Sequence, residues 1–145
     1  MMPPQKTTAK ITGARGEAIA ADYLKSKGYR ILDRNFFLRA QHGPKIAEVD
    51  IVAKKRDLFA FVEVKTINAN CKYLAQDKVN ETKKWKIAKA AEMWLIKNKI
   101  PLDSKWQIDV IAVEMLPDDR PEIFRKILGP RFKLSHFENI DCAFH

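Results

Sequence analysis

Residues 47–66, AEVDIVAKKRDLFAFVEVKT, are rich in β-branched and aromatic residues and are interrupted around Lys55–Leu58, the pattern of two strands joined by a short turn. Alternation places Ala47, Val49, Ile51 and Ala53 on one face of the first strand, with Ile46, Glu48, Asp50 and Val52 on the other. In the second strand Ala60, Val62 and Val64 oppose Phe59, Phe61, Glu63 and Lys65. Each strand therefore carries one apolar face, and four charges collect opposite it, toward the end far from the turn. With Lys55–Leu58 as a four-residue loop, Asp50 falls across from Glu63 and Glu48 across from Lys65. Two carboxylates with Cβ atoms about 5 Å apart repel unless a cation or a proton sits between them. A divalent metal fits: Mg²⁺ takes one or two carboxylates plus waters and phosphate oxygens, while a lysine can orient or activate a water. The competing reading is a set of solvated surface pairs, among them Glu48–Lys65 and Glu63–Lys65, on an antiparallel sheet.

Outward from the hairpin, the spacing predicts a helix from near Thr12, with Thr12 as N-cap and Gly28 as C-cap, and a strand over 29–40. The hairpin strands follow at 46–53 and 58–66, then a long helix over 76–98 stopped by Pro101, then a strand at 106–114. Beyond Pro117, PDDRPE reads as a turn, and EIFRKIL and FKLSHF as short strands. The order αβββαβ predicts an α+β domain, a mixed sheet flanked by helices, over residues 12–145, preceded by a flexible N-terminus at 1–11.

On a helical wheel Glu17 falls inside the apolar arc of Ala20, Ala21 and Leu24, so a carboxylate points inward. Lys83 shares a stripe with Ile87, Ala90 and Trp94, and Lys84 with Ala88, Ala91 and Leu95. The ordinary reading of both lysines is snorkelling from an apolar face to water. Trp85 lies off the main arc, free to stack on a base or to pack on the tail.

The chain holds 27 Lys+Arg against 18 Asp+Glu, a net charge of +9 spread along its length, which favours a polyanionic partner, nucleic acid first, although such a charge also serves solubility. Cys71 and Cys142 form no CxxC pattern, and His42, His136 and His145 have no zinc-ligand spacing with them. No apolar run reaches the length of a membrane span or a signal peptide core, so a cytoplasmic protein without membrane contact is expected.

Asp50, twelve intervening residues and Glu63-Val64-Lys65 resemble the D…(D/E)xK signature of the restriction-endonuclease-like nuclease superfamily, whose core is an αβββαβ unit. More closely, GARGEAIAADYLKSKGYRILDRN, AEVDIVA, FVEVKT, TKKWKIAKAAEMWL and IDVIAV are similar to blocks of the YraN-type predicted endonucleases of bacteria, relatives of archaeal Holliday-junction resolvases; the ending HFENIDCAF is similar too. Ala47 and Gln107 stand where that family usually has Gly and often has Arg, and Leu74 follows Tyr73 where Gly is usual. The resemblance implies a Mg²⁺- or Mn²⁺-dependent DNA endonuclease acting on structured or branched DNA, including recombination intermediates. It implies Asp50 and Glu63 as metal ligands, Glu17 as the helix-borne acidic partner at the metal, and Lys65 as the group positioning the attacking water; Glu48, from its place on the strand, is a partner for Lys65 or a secondary metal ligand. Lys83, Lys84 and Arg15 are the expected nucleic-acid contacts, and a homodimer stays open. The rival expectations are a non-catalytic nucleic-acid-binding module on the same fold, and an interaction domain whose charge serves solubility.

Overall fold

The computed structural model describes residues 5–68 and 79–140. The elements are α1 (Gln5–Ser26), β1 (Arg30–Arg39), β2 (Lys45–Lys55), β3 (Leu58–Ile67), α2 (Glu81–Lys97), β4 (Trp106–Met115), α3 (Glu122–Leu128) and β5 (Phe132–Phe137). The expected αβββαβ order is present, in an α+β fold with a five-stranded mixed sheet of order β1-β2-β3-β4-β5. β3 and β4 are parallel because α2 carries the chain back between them, and the other neighbours are antiparallel.

Three boundaries differ from the expectation. α1 begins at Gln5, so Thr12 lies within the helix and is not its cap. α2 begins after Asn80, whose Oδ1 accepts from Lys83 N at 2.8 Å; the expected start at 76, the polar 69–78 stretch with Leu74 and Cys71, and the tail with Cys142 lie outside the described residues. EIFRKIL is a helix, α3, and not a strand. Glu122 stands in its first turn and pairs with Lys126 one turn on at 3.1 Å, and Gly129 at φ 78 stops it. FKLSHF is the expected strand, β5.

Gly28 ends α1 as expected. It takes φ 92, and Tyr29 N donates to Leu24 O at 3.0 Å; both side chains are buried in the α1-side core.

The sheet is covered on both faces. α1 packs chiefly on β3 and brings Ala20, Ala21 and Leu24 onto Ile51, Ala53, Ala60, Val62, Ile111 and Val113. α2 packs chiefly on β2 and brings Ile87, Ala91, Trp94 and Leu95 onto Val49, Val52, Phe61, Ile108 and Val110. Both faces of the hairpin are therefore core, which corrects the expectation of one apolar and one open face. The alternation also breaks at Asp50: Ala47 and Val49 join the α2-side core, whereas Ile51 and Ala53 join the α1-side core. Opposite the break stands Asn35 at φ 53, between the pairs Arg34↔Ile51 and Phe36↔Val49. An asparagine tolerates that left-handed conformation better than the strand residues around it.

Candidate metal centre

β2 and β3 pair from Lys55↔Leu58 to Ile51↔Val62, joined by a two-residue turn, Arg56-Asp57, with Arg56 at φ 55. The register is the one expected from sequence, but the ladder stops at Ile51↔Val62. Beyond it β2 continues beside β1 to Lys45, and β3 continues beside β4 to Ile67. Asp50 and Glu63 are the first residues past the fork. Asp50 Oδ2 accepts from Val64 N at 2.7 Å, so a side chain takes the place of a ladder bond and holds the carboxylate at the opening.

Glu63 is 7% exposed, and its Oε2 is buried with no hydrogen-bond donor. Its Oε1 is 3.4 Å from Lys83 Nζ, which also lies 3.6 Å from Glu48 Oε1. Burial first, and then the Asp50 charge, push the Glu63 carboxyl up to about 8 against the pull of Lys83. Asp50 is also raised, by burial foremost and by Glu48, although the Val64 N–H, a hydrogen bond with the Glu63 carboxyl and the charge of Lys83 oppose the rise. Glu17 is raised by burial and then by Asp50, while a hydrogen bond from the Asn35 side chain and the charge of Arg34 hold it down in part. Burial alone would lower Lys83, but Glu63, Glu48 and Asp50 outweigh it and hold the ammonium above the ordinary lysine value.

The fold thus brings Glu17, Glu48, Asp50 and Glu63 into one electrostatic cluster. Asp50 and Glu63 form its centre, with Glu17 and Glu48 around them. The donors are all oxygens, and the buried one on Glu63 lacks a partner, which fits a hard divalent cation held by two carboxylates and completed by water or phosphate oxygens. Glu17 owes its place to Gly16: a Cβ there would overlap Thr66 Oγ1 and lie 3.0 Å from Thr66 Cβ, so only glycine lets α1 approach β3 this closely.

The lysines divide. Lys65 follows Glu63 by two on β3, half-buried, and makes none of the ion pairs among the described residues; Glu48 pairs instead with Lys45 at 3.7 Å and with Lys83. Lys83 turns into the acidic cluster rather than snorkelling to water, and Lys84 pairs with Glu81 at 3.2 Å. Trp85 is half-exposed beside Lys89. Arg15 is exposed and lines a separate cleft against the β4–β5 connection.

Two features escaped the sequence reading. Asn35 supports Glu17, and its only signal was an asparagine in a strand-like run. The second is a buried chain on the α1 side: Asp109 Oδ2 is 2.9 Å from His136 Nε2, and Tyr23 OH is 3.2 Å from His136 Nδ1. Asp109 Oδ1 accepts from Gln107 Nε2 and Asn139 N, both at 2.9 Å. Asp109, His136 and Glu138 bring ligand-type atoms within 4.8 Å of one another, but protein partners occupy both Asp109 oxygens and both ring nitrogens. The group acts as a latch tying α1 and β5 to β4. An aspartate inside the apolar IDVIAV run was the available signal. Among the described residues no helix is long and apolar enough to cross a membrane.

The model of the Uncharacterised protein family UPF0102 matches residues 16–113, from Gly16 in α1 to Val113 in β4, and so takes in Glu17, Glu48, Asp50, Glu63, Lys65 and Lys83. A UPF0102 protein of Trichlorobacter lovleyi is 45% identical over 112 residues, 77% of this chain and 83% of the relative. One of Geobacter sulfurreducens is 43% identical over 114 residues, 79% and 84% of the two chains. One of Alkaliphilus oremlandii is 35% identical over 132 residues, 90% and 97% of the two. With the match spanning the whole hairpin, all of α2 and the C-terminal half of α1, the chain belongs to family UPF0102, the YraN family.

Proposed function

We propose that this protein is a Mg²⁺- or Mn²⁺-dependent DNA endonuclease that hydrolyses phosphodiester bonds, with structured or branched DNA as its substrate class. The observation that carries the reading is the donor-less, buried Oε2 of Glu63 at the fork beside Asp50. Two carboxyls raised by burial and by neighbouring carboxylates are a pair that a divalent cation would stabilise in the ionised form. Asp50 and Glu63 would hold the metal, which supplies charge neutralisation at the scissile phosphate. Lys65, on the same strand face as Glu63, would donate to the attacking water and aim its lone pair at phosphorus; as the bond to the leaving oxygen breaks, the water's proton passes to bulk water and the leaving oxygen takes one from it. Glu17 and Glu48 accept from waters around the centre, and Lys83 balances Glu63 and Glu48.

The test is cleavage of labelled junction, flap and single-stranded DNA with Mn²⁺, comparing wild type with Asp50→Asn and Lys65→Met. Cleavage lost in both variants supports the reading. Persistent inactivity of the wild type, or undiminished activity of Asp50→Asn, overturns it.

One observation favours the rival, a DNA-binding module that keeps the fold without catalysis: Lys83 already supplies a cation to Glu63 and Glu48. That reading requires calorimetry to find no divalent-ion site, and requires Glu63→Ala to keep or gain DNA affinity as negative charge is removed.

A further inference from the structure

The β4–β5 connection is a built lobe. Leu116 N donates to Arg131 O at 2.9 Å across its base. Arg120 grips Asp118 through two contacts, at 2.8 and 2.7 Å, and donates to Gly129 O at 2.8 Å. Between this lobe and α1 lies a cleft of about 690 Å³ into which Arg15, Arg125 and Arg131 converge. Two acids also line it, and both are already neutralised: Asp118 by Arg120, and Glu122 by Lys126 at 3.1 Å. The three arginines themselves enter none of the ion pairs among the described residues, whereas Lys83, Lys84, Lys89 and Lys105 are all paired with acids. The cleft therefore carries three guanidinium groups in no close ion pair, Arg125 among them near enough to help hold Asp118 ionised, on a frame braced by hydrogen bonds.

We propose that this cleft is a phosphate-binding track for DNA, with Arg15, Arg125 and Arg131 each taking backbone phosphate oxygens. Guanidinium forks match phosphate geometry, and the apolar floor of Ile19, Met115 and Leu116 leaves the sugar faces without a polar competitor. The site is distinct from the acidic centre but joined to it through α1. Arg15 and Glu17 flank Gly16, which is seated on Thr66 of β3, so one helix segment fixes cleft and centre relative to each other. Arg125 and Arg131 lie beyond residues 16–113, the segment matched by the family model. The inference rests on the DNA-directed reading above.

The experiment measures duplex and junction DNA affinity against salt concentration for the wild type, Arg125→Gln/Arg131→Gln, and Lys99→Gln/Lys105→Gln. The last removes equal charge at the opposite end of β4. Loss of two phosphate contacts should flatten the slope of log K against log [salt] by about 1.8 and weaken binding roughly tenfold or more at 0.1 M salt. Mn²⁺ affinity by calorimetry and the melting temperature should not move, and the control pair should shift the slope far less. Equal slopes for wild type and Arg125→Gln/Arg131→Gln, or equal losses in the control, overturn the cleft assignment. Wild type that binds DNA without cleaving it overturns the nuclease reading alone, and the slope comparison still decides the cleft. Wild type that binds no DNA overturns both.

Discussion

Replacing Glu63 by Gln should stabilise the metal-free protein at alkaline pH and leave it unchanged at acid pH. The Glu63 carboxyl has an ordinary value of 4.5 and is held at about 8 by burial and by Asp50. A carboxyl raised on folding contributes stability that is fully present below its unfolded pKa and is lost as pH rises through the folded one. The interval from 4.5 to about 8, at ~1.36 kcal/mol per pH unit, bounds that loss at about 5 kcal/mol near pH 9. Local relaxation and water entry reduce the realised penalty to roughly 2–3 kcal/mol, or about 4–12 °C in Tm for a domain of this size.

Glutamine keeps the volume and removes the charge, and Lys83 retains Glu48. Thermal unfolding followed by circular dichroism in EDTA should give equal Tm values near pH 5 and a Tm for Glu63→Gln higher by several degrees near pH 8.5. Adding Mn²⁺ at a thousand times its Kd should reverse the order at pH 8.5, because the wild type gains about 4.1 kcal/mol from binding and the variant gains little. A variant no more stable than wild type at pH 8.5 in EDTA would refute the reasoning, since Glu63 would then carry no electrostatic penalty.

Gly16→Ala should destabilise by about 1–3 kcal/mol through overlap with Thr66, and Gly16→Ala/Thr66→Ala should recover part of it in a double-mutant cycle. The same substitution should weaken Mn²⁺ binding by calorimetry, as α1 shifts Glu17 away from the centre. Asp109→Leu removes the acceptor of Gln107, Asn139 and His136 from a fully buried position and should lose about 3–5 kcal/mol. Amide exchange should then quicken first in β5, whose hold on β4 includes that latch.

The element order and the hairpin register were legible in the sequence because two-residue alternation and turn residues carry them locally. What escaped depended on distant neighbours. The fork at Ile51↔Val62 arises because β2 and β3 each follow another strand beyond it, and nothing within 47–66 announces that. α3 was misread because Ile123, Phe124, Ile127 and Leu128 suggest a strand, although all four are exposed on a helix. Glu17 was readable from its wheel position alone, since its apolar neighbours define a face. Lys83 was not, because the same position fits snorkelling until the acids of β2 and β3 are placed beside it.

Asp50 joins fold and site in one side chain, and two substitutions separate its roles. Its carboxylate ends the β2–β3 ladder by accepting from Val64 N, and the same charge raises Glu63. Asparagine keeps an oxygen for Val64 and loses the charge; alanine loses both. Each relieves the repulsion on Glu63, so that gain cancels between them, and what remains is a part-buried N–H left without its acceptor in Asp50→Ala. Asp50→Asn should therefore exceed Asp50→Ala by about 1–3 kcal/mol in chemical denaturation at any pH. Both should lose Mn²⁺ binding, for neither retains the second carboxylate. Equal stabilities would mean that the fork is held by the flanking strands alone. Retained Mn²⁺ binding in Asp50→Asn would place the cation elsewhere in the cluster.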